Sequence, residues 1–224
     1  TYIKCLERMG QFDRAFENCL LGLYSPYRDV IFGIEGAGIL LAFEKLLWAD
    51  VLVQQLLPTN DPDLLKLDSV IQFKKTGKEY VSLTYANNDL KFSISGHNWE
   101  LEAQYTSGKI YERNVLDFII AHIPKNGVFL DIGANSGNHS ICAAAARSDA
   151  TIIPIEAEPR AVEIFKTNLA LNGLSNIDLS HLGKAIAAEA GHSMLQWASS
   201  VSSTRPSPDK YGIKVPNIQM HEIM

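Results

Sequence analysis

Residues 127–180 predict an α/β fold with a doubly wound parallel sheet, on three observations. A continuous apolar run, Gly127-Val128-Phe129-Leu130-Asp131-Ile132, leads into a glycine-rich turn and a helical stretch to about Arg147. A second apolar run over residues 151–155 is followed by an amphipathic segment over 161–172. A third run, over 176–180, closes the series. Strands that alternate with helices build parallel sheets through right-handed crossovers, and strands apolar at every position are buried on both faces by those helices.

Each element carries its own signal. Gly133 and Gly137 bracket the turn after the first strand, where a side chain would block close approach of a ligand. The amides of the turn and of the helix start are expected to be free donors for a carboxylate. The second strand ends in Glu156, about two dozen residues after Gly133, close to the roughly 20-residue offset at which such folds place a ribose-binding acid. Val162, Ile164, Phe165, Leu169 and Leu171 repeat at helical spacing, and Asn172-Gly173 supplies a C-terminal cap. Upstream, Ile110, Val115, Phe118, Ile119 and Ile123 predict a helix closed by Pro124.

The first hundred residues read differently. Residues 2–24 predict a helical pair or one kinked helix; the phrase CLERMGQFDRAFENC resembles one tetratricopeptide-type hairpin, but no second copy follows at a fixed period. Residues 29–48 read as a strand, a turn at Gly33, Gly36 and Gly38, and a helix to Trp48, with a structural turn favoured because the spacing is not GxGxxG. From Val70 to Glu102, short alternating runs such as Val70-Ile-Gln-Phe and Tyr80-Val-Ser-Leu-Thr-Tyr predict antiparallel strands. The expected division is a helical and strand-rich region over 1–105 and the sheet domain over 106–224.

Composition narrows the function. With 46% hydrophobic and 20% charged residues the chain of 224 residues can bury a core. A formal charge of -5 provides no basic footprint for nucleic acid. The apolar stretch over 30–53 is interrupted by Glu35, Glu44, Lys45 and Asp50, too polar for a membrane span. Cys5, Cys19 and Cys142 lack ligand spacing, as do His181, His192 and His221, so no metal site is predicted and a reducing, cytoplasmic setting is the default. His139 either caps the helix or reaches the ligand, Cys142 packs as a small hydrophobe, and His97 and Trp99 read as incidental turn residues. Residues 199–208, rich in Ser and Pro, read as a loop.

The turn itself, Asp131-Ile-Gly-Ala-Asn-Ser-Gly137, is GxxxG after an acid. A nicotinamide site uses GxGxxG to seat a diphosphate, whereas an acid beside the turn suits a ligand bearing an ammonium group. Three blocks carry a further likeness: Ser107-Gly-Lys-Ile-Tyr-Glu112, VFLDIGANSGNHS at 128–140 and IEAEPRAVEIFKTNLALNGL at 155–174. Over residues 106–195 the chain resembles FkbM-type S-adenosylmethionine-dependent methyltransferases. Two departures stand out: Ala157 where the family usually has proline, and no KIDVEG-like strand downstream.

The resemblance implies a Rossmann-like methyltransferase fold short of its C-terminal strands, with an N-terminal α/β plus β-rich region. It implies S-adenosylmethionine as cofactor and methyl transfer to a hydroxyl of a sugar, polyketide or related small molecule; charge and the interrupted apolar stretch, separately, lead to no expected nucleic-acid or membrane partner, and the oligomeric state is open. Carried over by position, Asp131, Gly133, Ala134, Asn135, Ser136 and Gly137 would cradle the methionine part, and Glu156 the ribose. Tyr111 and Glu112 would border the cofactor mouth. No catalytic base is readable. A nicotinamide-dependent oxidoreductase and a non-catalytic cofactor-binding module are the alternatives.

Overall fold

A computed structural model describes residues 30–42, 44–198, 203–206 and 213–223. The helical reading of 2–24, Cys5 and Cys19 lie outside the described residues. Two compact units divide the chain without following a single cut: the first comprises 1–79, 94–107 and 196–212, and the second 80–93, 108–195 and 213–224.

In the first unit, α1 (Val30–Ala42), α2 (Leu46–Leu56) and α3 (Pro62–Lys75) follow one another. Over residues 30–38 the expected strand and glycine turn are replaced by continuous helix, Asp29 lying outside the described residues. Ala37, Ile39, Leu40, Leu41 and Ala42 are all buried there, and a helix buried this widely shows none of the alternation with polar residues that marks a surface helix. Gly33 is required by packing, because a Cβ there would collide with Leu56 of α2.

The strand expected at 70–73 is also corrected to helix. Asp61 caps α3, its side chain accepting from the Asp63 amide at 2.9 Å, with Pro62 in the first turn. Leu64, Leu67, Val70 and Ile71 are buried together, so the 3.6-residue period from Leu64 overrides the local β propensity of Val70-Ile71.

In the second unit, β1 (Tyr80–Tyr85) pairs antiparallel with β2 (Asn88–Ser93). Ala86 and Asn87 both have positive φ, the geometry of a tight two-residue hairpin loop. Back in the first unit, α4 (Trp99–Thr106) replaces the strand expected near residue 102, with Asn98 accepting from the Leu101 amide as its cap. His97 and Trp99 are 3% and 1% exposed, so their reading as incidental turn residues is corrected. The buried Glu102 carboxylate organises this turn by accepting from the Ser95 amide and hydroxyl and from the Gly96 amide.

The rest of the second unit runs α5 (Arg113–His122), β3 (Val128–Ile132), α6 (Asn138–Ala146), β4 (Thr151–Ile155) and α7 (Pro159–Asn172). Strands β3 and β4 pair in parallel from Val128↔Thr151 to Ile132↔Ile155. The third strand is reduced to one parallel bridge, Ile152↔Ile177. Both backbone bonds of that bridge are made, Ile152 N donating to the Asn176 carbonyl and Asp178 N to the Ile152 carbonyl; beyond it the Ser180 amide turns back onto the Asp178 side chain, and Asn176 Nδ2 ties the segment to the carbonyls of Ala144, Arg147 and Ala150. The core here joins Ile123, Ala143, Ala144, Ala150 and Ile152.

Short strands β5 (Ala185–Ile186), β6 (His192–Ala198), β7 (Ser203–Pro206) and β8 (Ile213–Ile218) complete the described elements. Strand β8 pairs in parallel with β5 and antiparallel with residues 192–195 of β6. The loop expected over 199–208 thus contains a strand at 203–206, its other residues being outside the described set.

Asn168 ties three parts of the second unit together. Its Oδ1 accepts from the amide and hydroxyl of Ser93, and its Nδ2 donates to the Ser136 carbonyl at 2.8 Å. Asn172 similarly pairs with the amide and carbonyl of Lys91, so two asparagines of α7 cover the edge of β2. Asn168→Ala is expected to leave those buried groups unpaired and to lower stability by about 2 kcal/mol, read by denaturant unfolding.

Candidate functional site

The parallel register places Ile132 beside Ile155, so the glycine turn after β3 and Glu156 after β4 are neighbours at the carboxyl ends of the strands. That is where ligands of open α/β sheets sit. Three residues of the turn have left-handed backbone: Gly133 at φ 80°, Asn135 at 49° and Gly137 at 92°.

The two glycines serve different ends. A Cβ on Gly133 would meet no atom within 4 Å, so its missing side chain leaves open space above the turn. A Cβ on Gly137 would lie 2.8 Å from the Phe165 ring and 3.2 Å from Ile141, so that glycine is demanded by the packing of α6 against α7. A side chain would thus meet open space above Gly133 and overlap Phe165 at Gly137.

The expectation of free turn amides is also corrected. Gly133 N and Ala134 N donate to the Ile155 carbonyl, Asn135 N to Glu156 Oε2, Ser136 N to Asn135 Oδ1 and Gly137 N to the Ala134 carbonyl. Backbone donors in a half-buried turn are paired wherever a carbonyl or carboxylate is at hand. What remains is the Ser136 hydroxyl, whose oxygen is buried and makes no hydrogen bond.

Glu156 is the clamp of the turn. Its Oε1 accepts from the amides of Ala157 and Glu158, both at 2.8 Å, and its Oε2 accepts from Asn135 N at 2.9 Å. A carboxylate has about four acceptor positions, so about one is left, on Oε2. Burial pushes the Glu156 carboxyl above its ordinary range, against those three amides. Glu158 caps α7, accepting from the amides of Arg160 and Ala161.

Asp131 faces inward. It is 9% exposed and its Oδ2 accepts from Ser140 Oγ at 2.6 Å. Burial raises its carboxyl, while Ser140 and the His139 ring favour the charged form. Asn138 Nδ2 donates to the Tyr111 carbonyl at 3.0 Å, which fastens the 108–112 loop to the start of α6. Glu112, at φ 50°, precedes α5 without capping it; its Oε2 lies 3.5 Å from His139 Nε2. His139 therefore meets Glu112 rather than capping α6.

All nine residues named from the sequence fall in the second unit. Asn138, Ser140, Glu158 and Asn168 were not singled out, though Glu158 stands before Pro159 as a helix-start acid and Asn168 opens the phrase Asn168-Leu-Ala-Leu-Asn172-Gly173. Cys142 is buried and unpaired, and burial pushes its thiol up, as fits a packed small hydrophobe. Among the described residues no group of three His, Cys, Asp or Glu could hold a metal ion, and no helix is long and apolar enough to cross a membrane.

No protein family matches the sequence, and no curated protein matches it. Among solved structures, the chain is similar to the tRNA (uracil-54, C5)-methyltransferase of Pyrococcus abyssi in complex with S-adenosyl-L-homocysteine. The similarity covers 45% of this chain and 23% of that one, at 15% identity and a TM-score of 0.34. A likeness this slight carries no argument about activity, and what the chain shows in its own right is a mixed α/β protein with a parallel β3–β4 pair and a glycine turn clamped by Glu156.

Proposed function

We propose that this chain binds S-adenosylmethionine at the 131–137 turn and Glu156, and is a methyltransferase of the FkbM type acting on a hydroxyl of a sugar, polyketide or related small molecule. The observation that carries the cofactor reading is the Asp131-Ile-Gly-Ala-Asn-Ser-Gly137 turn, tied through Asn135 to the acid that ends the next parallel strand. The acceptor class rests on the sequence resemblance alone.

Several features fit this ligand. Open space above Gly133 lets a ligand approach the backbone. The unpaired Ser136 hydroxyl can donate to a carboxylate. The remaining acceptor position of Glu156 can take one ribose hydroxyl. A diphosphate fits less well, because phosphate cradles need free amides, and the amides of 133–137 are all bonded within the protein.

When bound, the cofactor supplies a methyl group on a sulfonium for in-line transfer to the acceptor oxygen. The chain's contribution is alignment: Glu156 and the turn fix the donor, and the Tyr111–Glu112 loop, held by Asn138, borders the site. The formal charge of -5 opposes a polyanionic acceptor and favours a small molecule or saccharide.

Titration calorimetry of the chain with S-adenosylhomocysteine and with NAD tests this reading. Saturable binding of the former alone supports it; binding of NAD alone replaces it with a nicotinamide enzyme. Gly133→Ala sharpens the test. With no neighbour for the new methyl, the left-handed backbone is the main penalty, about 1 kcal/mol of stability. The methyl should nonetheless obstruct the ligand, and unchanged affinity for S-adenosylhomocysteine would place the ligand elsewhere.

A further inference from the structure

Four carboxylates, Asp131, Glu112, Glu156 and Glu158, lie in the turn or beside it; of the basic side chains nearby, His139 meets Glu112, Arg113 pairs with Asp117, and Arg160 follows Glu158 at the start of α7. Three of these carboxylates are occupied. Asp131 is held by Ser140, Glu156 by three amides and Glu158 by the start of α7.

Glu112 is different. It takes a left-handed backbone unusual for a residue with a side chain, makes no capping bond to α5, and keeps 45% of its side chain exposed. Among the described residues the nearest ring nitrogen to its carboxylate is His139 Nε2, at a distance beyond a good hydrogen bond. The Asn138–Tyr111 bond holds its loop to the helix that starts at the turn. A strained backbone that presents a reachable carboxylate is a reason to look for a role. The Ser136 hydroxyl, buried in the same turn with no partner, independently points to a ligand there.

We infer that Glu112 makes this site select by ligand charge, so that it holds the cationic S-adenosylmethionine more tightly than the neutral thioether S-adenosylhomocysteine. The inference rests on the cofactor reading above and adds a specificity residue to it. S-adenosylmethionine carries one more positive charge than S-adenosylhomocysteine and is otherwise nearly the same shape, so the two report the field of the site. Loss of the sulfonium charge on methyl transfer weakens the hold on the product. The carboxylate acts through its charge: glutamine in its place keeps the shape and removes the effect, and lysine reverses it.

The test is titration of the 224-residue chain, as wild type, Glu112→Gln and Glu112→Lys, with S-adenosylmethionine and with S-adenosylhomocysteine in low salt. Wild type is expected to favour S-adenosylmethionine by about fivefold, the scale of one charge in a partly exposed site. Glu112→Gln should bring the ratio of the two affinities to about one, and Glu112→Lys should invert it. A purely structural Glu112 would shift both ligands together. An affinity ratio unchanged across the three proteins overturns the inference and leaves the cofactor reading standing; failure of wild type to bind either ligand overturns both.

Discussion

Glu156→Ala is expected to weaken S-adenosylhomocysteine binding by about 1–3 kcal/mol, the range for losing hydrogen bonds to a charged group. The effect has two sources. In the proposed site the ribose would lose its acceptor, and the turn loses its clamp, since Glu156 Oε2 is what Asn135 N donates to. Glu156→Gln separates them: its carbonyl can still serve Ala157 and Glu158, but its amide nitrogen would face the Asn135 N–H. The glutamine variant should therefore lose affinity as well, with less effect on thermal stability than alanine. Titration calorimetry and a melting curve on each variant decide it, and unchanged affinity in the alanine variant removes the ribose role.

Gly137→Ala is expected to be the most destabilising single change in the turn, at about 3 kcal/mol. Part is the left-handed backbone at φ 92°, and part is the overlap of the new methyl with Phe165, which is fully buried and has no room to retreat. At roughly 2–4 °C per kcal/mol for a chain of this size, the melting temperature should fall by about 6–12 °C. A drop under about 2 °C would mean that α6 and α7 can slide apart at no cost, contrary to the packing described. The contrast with Gly133→Ala is the informative part: one glycine serves the fold, the other the open face.

The sequence was most legible where one period dominated. Apolar runs bounded by turns identified where β3 and β4 run, although the expected burial of β3 on both faces is corrected, Val128 and Ile132 being 58% and 57% exposed; helical spacing with a closing Asn172-Gly173 identified α7. It misled where two periods overlapped. Val70-Ile-Gln-Phe has strand-like alternation, yet it extends a buried helical stripe that starts at Leu64. In α1 the glycines looked like turn residues, whereas Gly33 is a contact point for Leu56. The third strand extends only to the bridge at Ile177, where the Ser180 amide then turns back onto Asp178, and its apolar pattern does not show that early end.

For the site, position along the chain was readable and hydrogen bonding was not. The acid after β4 stood at the spacing expected of a ribose ligand, but nothing in the sequence disclosed that three amides already hold it. The same applies to the turn amides, whose acceptors come from the Ile155 carbonyl as well as from the turn itself. Pairing across strands and between a loop and a helix, as between Glu112 and His139, depends on the fold and leaves no trace in local spacing.

Amide NMR of the isotopically labelled chain during titration with S-adenosylhomocysteine reads the proposed site at the glycine turn and Glu156 residue by residue. Saturable shifts are expected at residues 131–137, 111–112 and 156–158, with the hairpin at 80–93 little changed. Shifts clustered elsewhere, or none at saturating ligand, would rule out this turn as the binding site.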